Sequence, residues 1–210
     1  MGKIKDFFDL DGSFMTFMSK LFWVIIINFV WIVSCLPVIS IGGATKAMYS
    51  VMFSLVEDKK IDFFGTYLSR LFEHFLTSLK LTITAIAIGA ICIIDMLFFL
   101  SMESTTGYIM FGISVFIALA FLCIVMCAFP ILSLNEKGYK DTIYETLDFI
   151  KTYPLSALGV LCTTLIFVGL ICLILLIPAL FPFVYLLFIS FGLNAFVISY
   201  IVHKKLVLNN

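Results

Sequence analysis

The sequence predicts an all-α fold: a polytopic membrane helical bundle of about five transmembrane helices with amphipathic interfacial helices. Two observations predict it. Of 210 residues, 63% are hydrophobic and 12% charged, with a mean hydropathy of +1.20, against about 45–50% apolar and about 25% charged in soluble domains. A soluble globule of this size leaves much of its surface wet and cannot hide so many apolar side chains. The second observation is that the apolar residues form continuous runs, where a membrane β-barrel would alternate them.

Crossing the hydrocarbon core takes about 20 apolar residues. Five stretches meet that length: residues 21–39, 81–100, 108–132, 155–177 and 181–202. The first contains Ile32-Val33-Ser34-Cys35, the shape of a lipoprotein cleavage box. Asp6, Asp9 and Asp11 occupy what would be its basic leader, so an uncleaved helix is expected. Pro37 and Gly42-Gly43 follow it: proline lacks a donor and glycine tolerates positive φ, so a turn is expected here. A further helix then carries Ala44, Ala47, Met48, Val51, Met52 and Leu55 on one face, lying on the membrane or re-entering it. Residues 43–79 and 140–153 form two amphipathic segments. Phe64, Leu68, Leu71, Phe75 and Leu79 line one face of the first, and Ile143, Leu147 and Ile150 one face of the second. Pro178 and Pro182 bracket a tight reversal before the fifth span.

The basic residues set an expected orientation. Lys3, Lys5 and Lys20 flank the N-terminal side of the first span, whereas ten Lys and Arg fall in the two long loops and at the C-terminus. The positive-inside rule then puts those loops and the C-terminus in the cytoplasm and the N-terminus outside. An internal repeat is also suggested. Cys35-Leu36-Pro37-Val38-Ile39-Ser40 parallels Cys127-Ala128-Phe129-Pro130-Ile131-Leu132-Ser133, and an amphipathic stretch and a span follow each. The plan would be two parallel units plus a fifth helix.

Polar residues inside the spans are the candidate functional residues. Asp95 is the one charge within a span, and intramembrane acids are costly. Lys20 is its expected cationic partner. Asn28 and Asn194 lie in the first and fifth spans, where amides hydrogen-bond between helices. His74 and His203 read as interface residues, without a carboxylate or second histidine at metal-ligand spacing. The six cysteines all lie in spans and read as small apolar fillers. There is no Walker spacing, H-E-x-x-H or G-x-S-x-G motif, so no enzyme activity, cofactor, metal or nucleic-acid partner is expected.

The segment from Trp31 to Tyr49 is the most distinctive in the chain. Trp31, Leu36-Pro37, Ser40-Ile41-Gly42 and Ala47-Met48-Tyr49 resemble the signature of the YesL-like family, bacterial integral membrane proteins with a domain of unknown function. Length and span layout extend the likeness over the chain. Gly43 replaces a frequent proline, and Lys46 stands in a usually neutral stretch. With Asp95, Asn28 and Asn194, the turn residues Pro37, Gly42 and Gly43 complete the candidate functional set. The resemblance implies residence in the bacterial cytoplasmic membrane and an accessory or assembly role in carbohydrate ABC transport. The expected partners are the lipid bilayer, a sugar ABC transporter permease or a second copy of the chain. A small transporter or channel in its own right is the alternative.

Overall fold

A computed structural model describes residues 13–59, 62–135, 138–176 and 185–206. The N-terminal lysines and aspartates, Lys60, Lys137 and the reversal at residues 178–182 lie outside these. The described residues form helices α1 (Ser13–Ser34), α2 (Ile41–Val56), α3 (Phe63–Phe72), α4 (Phe75–Ser101), α5 (Thr105–Asn135), α6 (Tyr139–Thr152), α7 (Pro154–Leu176) and α8 (Tyr185–Leu206), with a 3-10 turn at Val38–Ser40. There is no strand among them, so the fold is an all-α membrane bundle.

Among the described residues, four helical stretches are long and apolar enough to cross a membrane: Val38–Val56, Phe75–Ser101, Thr105–Leu134 and Pro154–Leu173; Met18–Ser34 is apolar but shorter. The first helix therefore stops five residues short of the expected 39. Its backbone breaks because Pro37 is extended, at φ −76° and ψ 114°, and caps the 3-10 turn. The Ser40 hydroxyl closes the turn by donating to the carbonyls of Ser34 and Pro37.

The chain then doubles back. α2 is neither a surface helix nor a one-faced amphipath: Gly42, Gly43, Ala44, Lys46, Ala47, Met48, Val51 and Met52 are all buried. It is the central helix, with α1, α3, α4, α5 and α8 packed around it. Gly42 and Gly43 do not supply the turn, since no described glycine has positive φ. They sit in the first turn of α2, where small size matters. A Cβ on Gly42 would lie 2.2 Å from Thr82 Oγ1 and 2.4 Å from the Ser78 carbonyl oxygen. One on Gly43 would lie 2.7 Å from the Leu71 carbonyl oxygen. These glycines let α2 meet α3 and α4 backbone to backbone.

The expected apolar faces are divided: Phe75 and Leu79 belong to α4, and α6 buries Thr142, Thr146 and Phe149 while Leu147 is exposed. Tyr67 and Leu71 of α3 are buried, while Phe64, Leu68 and Phe72 are exposed. α4 and α5 form a long hairpin whose outer half is exposed and apolar, including Ile91, Ile94, Leu97, Ile109, Ile113 and Phe116.

The expected repeat does not extend to the first span. α1 ends before its proline, whereas α5 runs straight through Pro130. What recurs is an amphipathic helix leading at once into a long apolar one, α3 into α4 and α6 into α7.

Candidate functional site

Two places gather polar chemistry. One is the end of the bundle where α1 begins and α2 and α8 finish. Lys20 Nζ lies 2.8 Å from Asp58 Oδ1, and His203 Nε2 lies 3.0 Å from Glu57 Oε1. Lys59 pairs with the second Glu57 oxygen at 2.5 Å. Burial pushes the Glu57 carboxyl up, but the hydrogen bonds and positive charges of Lys59 and His203 outweigh it and hold it below the usual carboxylate range. Lys205 lies 5.7 Å from the Tyr153 ring centre. These contacts correct two expectations. Lys20 shares an end with Asp58 and His203 and does not lie across the bundle from them. It also pairs with Asp58 and not with Asp95, because α2 returns its C-terminus to where α1 begins. Asp95 is exposed on the outer half of α4.

The second place is a cavity of about 440 Å³ in the middle of the bundle. Ligand sites typically occupy ~300–1,000 Å³. α2 forms its inner wall through Ile41, Thr45, Met48 and Tyr49. Trp31 of α1 closes one side, its indole Nε1 donating to Thr45 Oγ1 at 3.2 Å and its ring 5.4 Å from Phe191. Thr82 and Ala85 of α4, Met126 and Phe129 of α5, Thr164 of α7 and Ser190 and Asn194 of α8 complete it. No charged side chain lines it among the described residues.

The candidate residues therefore separate. Asn194 lines the cavity, with Oδ1 buried and unpartnered. Asn28 is fully buried behind it, where α1 crosses Gly192 of α8, and neither amide atom has a hydrogen-bond partner. A Cβ on Gly192 would come within 2.8 Å of Asn28 Cβ, so this crossing needs glycine. Pro37 makes the turn that starts the inner wall, and Gly42 and Gly43 seat that wall on α3 and α4.

Sequence reasoning missed what Lys46 does. It is fully buried, and its ammonium donates to the Glu73 carbonyl at 2.6 Å, at the C-terminus of α3. A cation there neutralises the partial negative charge of the helix end. The signal was present, as the one lysine in an otherwise neutral segment.

The wall of the cavity and the helices that seat it, from α1 through most of α4, are also the part of the chain shared with other proteins. Residues 24–96 match the family described as a protein of unknown function, DUF624. That part of the chain is similar to this family. This is the YesL-like family of the resemblance, and the match narrows that likeness from the whole chain to residues 24–96. No curated protein and no solved structure matches the chain. The segment contains Trp31, Thr45, Tyr49 and Thr82, the α1–α4 part of the cavity lining, while Asn194 lies beyond it.

Proposed function

We propose that this DUF624 protein is a non-enzymatic membrane component that docks on another membrane protein. Following the family resemblance, the partner is the permease of a carbohydrate ABC importer in the bacterial cytoplasmic membrane. The observation that carries the reading is the outer face of α3. Leu68 and Phe72 are 54% and 72% exposed, one turn apart, and Leu76 extends the stripe onto α4 at 70%. The opposite face of α3 is fixed against α2 by buried Tyr67 and Leu71, so the stripe cannot turn inward. A rigid amphipathic helix with spaced apolar anchors suits helix-in-groove recognition.

The test is recovery of partners with the tagged protein from native membranes, read by mass spectrometry. An importer permease is expected, and Leu68→Ser with Phe72→Ser should reduce its recovery without shifting the thermal unfolding midpoint. Recovery of no membrane partner overturns the reading.

A small transporter is the second reading, and the central cavity favours it. Uptake of substrate into liposomes, lost on Asn194→Leu, would support it. Asp95 is the weaker test residue, because it lies on the exposed hairpin outside the cavity lining.

A further inference from the structure

The central cavity is lined by a few neutral polar groups, the hydroxyls of Thr45, Tyr49, Thr82, Thr164 and Ser190 and the amide of Asn194, and they bound the chemistry of what it can hold. The hydroxyls of Thr45, Thr82 and Thr164 donate to the carbonyls of Ile41, Ser78 and Val160, at 2.7, 2.9 and 2.9 Å. Their protons are committed to their own helices, and Thr45 Oγ1 in addition accepts from Trp31 Nε1. Asn194 Oδ1 is a buried acceptor without a partner, and leaving such a group unpaired costs about 1–3 kcal/mol. This one acceptor atom therefore lacks a donor. Most of the rest of the wall is Ile, Met, Phe, Val and Ala, with the Trp31 and Tyr49 rings, and without a charged side chain among the described residues such a wall makes an ion costly to desolvate.

The access route is apolar as well. Ile86 of α4, Val168 of α7 and Phe191 of α8 all line the cavity and are 56%, 46% and 46% exposed on the sides of the bundle. In a membrane bundle such flanks face hydrocarbon, so an occupant arrives from the lipid phase.

We infer that the cavity binds an uncharged lipid alcohol. Its single chain lies along the apolar wall of the cavity beside Trp31, and its hydroxyl donates to Asn194 Oδ1. Such an occupant supplies the missing donor, adds no charge and is soluble in the phase from which the cavity opens. The inference is independent of any permease partner.

Trp31 is the built-in reporter. In Trp23→Phe protein, Trp31 is the sole tryptophan. This protein, reconstituted in phosphatidylcholine vesicles, is titrated with chain-brominated dodecanol and with the matching brominated dodecane, and the quenching of Trp31 is read. Saturable quenching is expected, with the alcohol binding about tenfold tighter than the alkane, the worth of one hydrogen bond. Ala85→Phe, which fills the cavity, should abolish the saturable component. Asn194→Leu should keep saturable binding and erase the preference for the alcohol. Because it replaces an unpaired amide with an apolar side chain, this variant keeps the test alive if Ala85→Phe does not fold. Quenching linear in probe and unchanged by Ala85→Phe would show bulk-bilayer contact only and overturn the site. Saturable binding with no preference for the alcohol would overturn its assignment to a lipid alcohol.

Discussion

At the scale of single residues, the strongest constraints are steric and lie on α2. Gly42 meets backbone, the Ser78 carbonyl, where a Cβ would go, and a backbone atom cannot swing aside as a side-chain end can. Gly42→Ala should lower the unfolding free energy in detergent by about 1–3 kcal/mol, the usual result of overpacking. Gly112→Ala, with nothing within 4 Å of the added atom, should be neutral or slightly stabilising through helix propensity. Thermal unfolding followed by circular dichroism distinguishes the two. Lys46→Met keeps the length of the buried side chain but leaves the Glu73 carbonyl without its donor, at an expected cost of about 1–3 kcal/mol. The sequence marked Gly42 and Gly43 as special for the wrong reason. Composition shows that glycine is needed, but only the fold shows that the need is space and not positive φ. It could not show the partner of Lys46 at all, because that partner is a backbone carbonyl 27 positions away and has no letter of its own.

At the scale of elements, the α1–α2 hairpin governs how the molecule is put together. Long apolar runs made α4, α5 and α7 legible, because helices of that length need little tertiary information. The split between α1 and α2 was harder to read, since residues 21–39 are apolar throughout and only the extended backbone of Pro37 divides them. The tip exposes Leu36, Val38 and Ile39, and the Ser40 hydroxyl satisfies carbonyls that the break frees. Non-helical backbone in an apolar setting requires such a partner. The far end of the hairpin is held by Glu57 and His203, 146 positions apart; a search for local metal-ligand spacing leaves that pair out of view. The Glu57 carboxyl titrates below its ordinary value of 4.5 in the folded protein. Its contribution to stability is therefore complete above the ordinary carboxylate range and is lost as pH falls through the depressed folded value. Glu57→Gln should be less stable than the parent by about 1–2 kcal/mol near neutrality. That gap should close on acidification below about pH 4.5. Thermal midpoints measured across pH for both proteins check it; a gap that persists in acid would assign the loss to packing.

At the scale of the whole molecule, the direction of each helix relative to the ion-paired end is the quantity that matters. Lys20, Asp58, Lys59, His203, Lys204 and Lys205 belong to the ends of α1, α2 and α8 that meet there. Ten basic residues against three was the split expected across the bilayer, and Lys20 now joins the larger group. The helical hairpin explains the change. α1 runs away from the ion-paired end, and α2 brings the chain back to it, so that Lys20 meets Asp58. The positive-inside rule applied to the corrected grouping predicts the start of α1 on the cytoplasmic side together with the C-terminus. Single-cysteine variants test this directly, in a background where the six native cysteines are serine or alanine. Lys20→Cys and Lys204→Cys should both resist a membrane-impermeant maleimide in intact cells and both react after permeabilisation, whereas a cysteine at Glu103, in the tip of the α4–α5 hairpin, should react in intact cells. Opposite behaviour of Lys20→Cys and Lys204→Cys would put the two ends on different sides of the membrane, and would leave the Lys20–Asp58 pair and the whole α1–α2 hairpin without a place in the folded protein.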